Sequence, residues 1–364
     1  MVYILAAGLT FLLAVVFTRL IKSLALKLQI VDQPDRPRKI HKQPIPLLGG
    51  AAIFLSFTLV LFCFSFFTDL VIKDFILAKH ILGIIIAGII IMIGGVLDDK
   101  YGLKPKLQIV FPILATMIII ASGIGITHIR NPFDGVIRFD NWEYILFWRQ
   151  GIAYKITLLA DFFTFVWLLG MMYTTKFLDG LDGLVSGITV AGSFIIFGVA
   201  MSKNVAQPNT ALLAIILAGA FLGFLIFNWH PAKIFLGEGG SLFAGLMLGT
   251  LAIISGSKIA TTLLIMGIPI LDVAWVIARR VFSKRSLSSG DKKHLHFRLL
   301  DIGLSHRQAV TFYIFLTALF GSLALVLQTL GKLIALLALI IVMLILAVTL
   351  VILYKKKSAY AKQE

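Results

Sequence analysis

Residues 82–99 read LGIIIAGIIIMIGGVLDD, an apolar run from Leu82 to Leu97 that ends on two adjacent carboxylates, Asp98 and Asp99. Unbroken apolar segments near this length cross a bilayer as helices. Adjacent acids at the end of such a helix repel each other and resist desolvation, so they point to a cation or a proton to be handled. Similar runs recur along all 364 residues. The chain is 59% hydrophobic and 14% charged, with a mean hydropathy of +1.00. A soluble domain has no use for that much apolar surface. The composition predicts an all-α polytopic membrane protein, because helices satisfy their own backbone hydrogen bonds where lipid cannot. We place about eleven transmembrane helices, near 2–22, 48–68, 80–97, 107–126, 157–175, 183–201, 210–228, 239–257, 259–279, 308–328 and 331–354.

The formal charge is +16. In a membrane protein this reflects orientation, anionic lipid or an anionic substrate. With the N-terminus outside, 24 of the 33 Lys and Arg residues fall in inner segments. That bias predicts an N-out, C-in topology in the cell membrane. The same topology sends Asp98, Asp99, Asp179, Asp182, Glu238 and the His294/His296 loop to the cytoplasmic side. The largest outer loop, 127–156, alternates around Gly135–Asp140 and carries Trp142 and Trp148, which suits a small extracytoplasmic hairpin at the interface. The first apolar stretch, from Tyr3 to Leu20, reads as a retained span rather than a signal peptide. Cys63 is the lone cysteine, so no intrachain disulfide and no Cys-based metal site is expected. With no internal repeat or linker, residues 1–364 read as a single integral membrane domain.

Four motifs carry chemistry. Asp98-Asp99-Lys100-Tyr101-Gly102 is either a solvated helix end with Gly102 near its C-cap or a carboxylate pair for Mg²⁺ or proton transfer. Asp179-Gly180-Leu181-Asp182-Gly183 puts two carboxylates three residues apart, on one side if the turn is helical, with Asp182 free to cap the next helix. Gly237-Glu238-Gly239-Gly240-Ser241 looks like a phosphate- or metal-facing turn, with Ser241 as a plain N-cap in the bland alternative. His294-Leu295-His296-Phe297-Arg298 lies in the most basic loop and suits pyrophosphate, with zinc the weaker option. Asp272, after Pro269 within an apolar span, should face the bundle interior. Asp161 lies near the outer surface, where solvation accounts for it.

Six stretches, in order, resemble the polyprenyl-phosphate N-acetylhexosamine-1-phosphate transferases (the WecA/TagO/MraY superfamily): RKIHKQPIPLLGG, LDDKYGL, FLDGLDGLVSG, FLGEGGS, PILDVAW and HLHFRLLDIGLSHRQAV. The last looks closer to the N-acetylglucosamine branch than to the muramyl-pentapeptide branch. The resemblance implies a helical bundle with a cytoplasmic active site, and transfer of a sugar 1-phosphate from a UDP-sugar to undecaprenyl phosphate with release of UMP. It implies Mg²⁺, with Mn²⁺ as a substitute. By position it assigns catalytic roles to Asp98, Asp99, Asp179 and Asp182, metal binding to Glu238 and Asp99, and substrate binding to Lys176, His294, His296, Arg298 and His41. Four positions depart from the family pattern. Tyr173 and Lys176 stand where asparagines are usual, Glu238 where aspartate is usual, and Phe297 where a further histidine is usual.

The reading is therefore an Mg²⁺-dependent transferase using UDP-N-acetylglucosamine and undecaprenyl phosphate and starting a cell-envelope polysaccharide. It acts in the membrane without nucleic acid, and a homodimer is compatible with it. We favour direct attack by the lipid phosphate on the β-phosphorus, with Asp98 taking any remaining proton. A covalent phospho-enzyme stays open. The rivals are a phospho-MurNAc-pentapeptide-type transferase, a membrane transporter and an inactive descendant of the enzyme.

Overall fold

The computed structural model describes residues 1–34, 43–73, 76–149, 152–256, 259–283 and 294–360. His41 and the basic segment 284–293 lie outside the described residues. The long helices are α1 (Val2–Lys27), α2 (Gly49–Phe67) and α3 (Ala78–Tyr101). After the short α4 (Pro105–Gln108) and α5 (Val110–Ala121) come α6 (Leu158–Leu178), α7 (Leu184–Met201), α8 (Pro208–Asn228), α9 (Gly237–Ile254) and α10 (Ile259–Phe282). The short α11 (Leu295–Asp301), α12 (His306–Val326) and α13 (Thr329–Tyr360) complete the set.

Ten of these helices are long and apolar enough to cross a membrane among the described residues. The expected span at 107–126 falls on a shorter apolar helix, Pro105–Ala121, made of α4 and α5 with Ile109 between them still at helical angles (φ −69°, ψ −21°).

The bundle is built around α9. Its most apolar stretch is 89% buried, against 22% for α1 and 11% for α13. Helix α9 packs against α2, α3, α6, α7, α8 and α10, while α1 lies on α2 and α8, and α13 lies on α10. Without a hydrophobic drive between helices in lipid, close packing of small residues takes over. Gly240 of α9 meets Gly50 of α2, and Gly239 meets Gly95 of α3, backbone against backbone. The strands β1 (Val31–Asp32) and β2 (Ile45–Pro46) pair antiparallel. Phe235 N donates to Pro46 O (2.9 Å), and Gly50 N to Leu236 O (2.8 Å), which fastens the start of α2 to the start of α9.

The loop before α6 forms two hairpins where one was expected. Strands β3 (His128–Arg130) and β4 (Val136–Arg138) are the expected one. Strands β5 (Glu143–Arg149) and β6 (Ile152–Thr157) make the second, which runs directly into α6. It escaped notice because residues 144–148 are all apolar and do not alternate. Tyr144, Ile145, Leu146, Phe147 and Trp148 are all exposed, as is Trp142. A two-stranded ribbon apolar on both faces at a span's end suits the interfacial layer. With Trp167, Trp229 and Trp275 changed to Phe, the fluorescence of Trp142 and Trp148 should be quenched by lipid brominated near the headgroup. Absence of quenching at any depth would place the ribbon in water.

Asp161 accepts a hydrogen bond from Thr157 N (2.8 Å) and so closes the first turn of α6. Solvation alone does not account for it.

Candidate active site

The acids and histidines converge at the end of α6 opposite the hairpins, about 30 Å away by the length of that helix. Helix α3 ends as read. Gly102 is left-handed (φ 61°), and its N–H bonds to Asp98 O (2.7 Å). Asp98 is held in place: Oδ1 accepts from Leu103 N (2.9 Å) and Gln108 Nε2 (2.8 Å). Asp99 reaches the start of α9, where Oδ1 accepts from Glu238 N (3.1 Å). A carboxylate there meets unpaired amides and the positive end of the helix dipole. Gly237 just before it has φ 75° and lies against the Asp99 carboxylate, with no room for a side chain. Ser241 is not the N-cap. It lies inside α9, and its hydroxyl donates to Glu238 O (3.1 Å).

Lys176, near the end of α6, crosses to Glu238. Its Nζ lies 2.5 Å from Glu238 Oε1 and 3.1 Å from Gln108 Oε1, and sits 5.6 Å over the Tyr173 ring. Asp98, Gln108, Lys176 and Glu238 thus form one polar chain across four helical segments. The sequence had left Lys176 free to meet a diphosphate; it is already paired with Glu238.

The turn after α6 is not helical, so Asp179 and Asp182 part company. Asp179 is an exposed residue with protein packed close around it; this packing first, and then the charges of Glu238, Asp99 and Asp182, raise its carboxyl above the ordinary range. Asp182 turns away: Oδ2 meets His230 Nδ1 (2.7 Å) and accepts from Ala232 N (3.1 Å). It does not cap α7. Asn228 does that work, with Oδ1 accepting from Gly183 N (3.1 Å) and Ser186 Oγ (3.0 Å).

The histidine segment docks beneath this turn. Asp272 faces the interior as expected. It accepts from Leu295 N (2.8 Å) and meets His294 Nδ1 (3.0 Å), fixing the start of α11. The His294 ring stacks between Phe177 and His296. His296 is fully buried, with Nε2 against Gly180. Burial first, then the neighbouring His294 and His306, holds its pKa down at about 3. Both effects favour its neutral ring. Arg298 lies beside Asp272 in an apolar groove between α10 and α13.

Gln108, Asn228, His230 and His306 went unassigned in the sequence. Each is a polar residue at a helix end, and only contacts from distant segments reveal its part.

The donor set fits a hard divalent cation. Glu238 pairs with Lys176, Asp98 is linked to that lysine through Gln108, Asp99 and Asp179 lie within reach of the Glu238 charge, and no protein donor reaches the Asp179 carboxylate among the described residues. Such an excess of negative oxygen suits Mg²⁺.

The model of glycosyl transferase family 4 matches residues 81–256. A probable undecaprenyl-phosphate N-acetylglucosaminyl 1-phosphate transferase of Bacillus subtilis (strain 168) is 32% identical over 336 residues, covering 90% of this chain and 86% of its own. The chain belongs to this family. A decaprenyl-phosphate N-acetylglucosaminephosphotransferase of Mycobacterium leprae (strain TN) is 31% identical, covering 80% of this chain and 75% of its own. The undecaprenyl-phosphate alpha-N-acetylglucosaminyl 1-phosphate transferase of Escherichia coli (strain K12) is 27% identical, covering 87% and 82%. These family members belong to the N-acetylglucosamine branch, not the muramyl-pentapeptide one.

Proposed function

We propose that this family member transfers N-acetylglucosamine 1-phosphate from UDP-N-acetylglucosamine to a polyprenyl phosphate such as undecaprenyl phosphate. The observation that carries this is the convergence of Asp98, Asp99 and Asp179 around Glu238, itself paired with Lys176, at one end of a membrane bundle. An oxygen of the lipid phosphate forms a bond to the β-phosphorus. The bond from that phosphorus to the bridging oxygen breaks, and UMP leaves with the electron pair. Both reactants are anions, so neutralising charge is the main task. Asp99, Asp179 and Glu238 would hold Mg²⁺, which when bound neutralises diphosphate charge. Lys176 keeps Glu238 aimed, and Gln108 keeps Asp98 aimed. A lipid phosphate is largely deprotonated near neutral pH, which leaves Asp98 only a small proton to manage. We read the whole chain as one membrane transferase domain, N-terminus outside and site on the cytoplasmic side.

The test uses purified enzyme in detergent with labelled UDP-N-acetylglucosamine, undecaprenyl phosphate and Mg²⁺. Lipid-linked diphosphate sugar and UMP should appear in equal amounts and vanish with chelator. Turnover of other UDP-sugars only would overturn the donor, and turnover in chelator would overturn the metal.

A further inference from the structure

Asp182, His230 and His306 come from three segments far apart in sequence: the turn before α7, the residues after α8 and the first turn of α12. One donor atom from each lies within 4.8 Å of the others. The two imidazole rings stack, with centroids 3.9 Å apart and planes 11° apart. His230 gives Nδ1 to the Asp182 carboxylate at 2.7 Å. The His306 ring lies against the backbone of Asp182. Its Nε2 is buried and has no partner. A buried imidazole nitrogen with an unused lone pair is a ready ligand for a metal.

We infer that these three residues form a second cation site, separate from the carboxylate cluster, for a borderline metal of the Zn²⁺ or Co²⁺ class. Two imidazoles and one carboxylate disfavour Mg²⁺, which prefers oxygen. Donors about 2.0–2.2 Å from a shared ion stand at most about 4.4 Å apart, so the donors are already near the spacing an ion needs, and binding turns the two rings out of their stack to aim both lone pairs at it. Asp182 Oδ2 is taken by His230 and Ala232 N, and Oδ1 is left for the ion. Arg307 does not compete for the rings; its Nε bonds to the His230 carbonyl (2.9 Å). The ion would staple the Asp179–Gly183 turn to the ends of α8 and α12. It would thereby fix where Asp179 stands without touching the substrate.

The experiment needs neither substrate nor turnover. Enzyme free of any histidine tag is stripped with chelator, reconstituted in nanodiscs and titrated with Co²⁺. One equivalent should bind at micromolar concentration with the intense visible bands of a four-coordinate site, and Zn²⁺ should displace it. His230→Asn and His306→Gln should each lose these bands, while Glu238→Gln keeps them. Absence of the bands in the unmodified protein overturns the inference, as does their persistence in both histidine variants. Failure here leaves the transferase reading intact, since that rests on a different set of acids.

Discussion

Glu238→Gln is expected to lower turnover about 10²–10³-fold, the scale of losing a main electrostatic stabiliser in a closed site. The change keeps the shape and removes the charge. It leaves the Lys176 ammonium, 18% exposed, with only neutral amide oxygens, Gln108 Oε1 among them, in place of a carboxylate. The more telling variants use the two departures from the family pattern. Lys176 replaces a usual Asn, Glu238 replaces a usual Asp, and the structure puts the two 2.5 Å apart. The longer acid reaches the lysine. Glu238→Asp alone withdraws the carboxylate from Nζ and should cost about tenfold in rate. Lys176→Asn alone takes the one lysine out of the acid cluster. Together they recreate the family pair, so the double variant should recover most of the loss. A coupling of about 1–2 kcal/mol is expected from UMP release in the four-member cycle. Simple additivity would show that the two departures are independent.

How far the sequence reveals this site follows from what each residue does. Asp98, Asp99, Asp179 and Glu238 are legible because an acid at the end of an apolar run is costly and therefore conspicuous. Asp272 is legible for the same reason, and the structure finds it capping the histidine helix. The bundle is legible because a bilayer imposes one length and one composition on every span. Partners are harder to see. Gln108 follows Pro105 at the start of an apolar stretch and reads as a solvated helix end; its value appears only when Asp98 and Lys176 arrive from elsewhere. Asp182 stands where a cap for α7 would, but His230 claims it. His296 has the look of a phosphate ligand, yet its surroundings favour the neutral ring. Local spacing cannot report which of two neighbouring acids turns inward, because tertiary contacts decide it.

The same tertiary contacts make the glycines of α2 and α3 the most fragile points outside the acids. Gly95→Ala would drive a methyl group into the backbone N and Cα of Gly239, and Gly50→Ala into those of Gly240. A side chain in the way can rotate; a helix backbone cannot. Helix α9 has no room to retreat, since neighbours enclose it on all sides. Helix α3 or α2 must therefore move out, and overpacking of this kind costs about 1–3 kcal/mol. The cost to activity is larger. Asp99 rides on α3 four residues beyond Gly95, and its 3.1 Å bond to Glu238 N is what registers α3 against α9. A displacement of about 1 Å at a reacting centre can cost about 10²-fold in rate. Gly95→Ala should thus lower both the unfolding temperature in detergent and turnover, with turnover measured well below the transition so that the two effects separate. Gly8→Ala in α1 and Gly170→Ala in α6 are the matched controls, because a methyl group at either meets nothing within 4 Å. Both should be neutral or slightly stabilising, as alanine favours the helix by up to about 1 kcal/mol over glycine. If Gly95→Ala behaved like these controls, α3 and α9 would not be in backbone contact, and the placement of Asp99 on the first turn of α9 would fall with it.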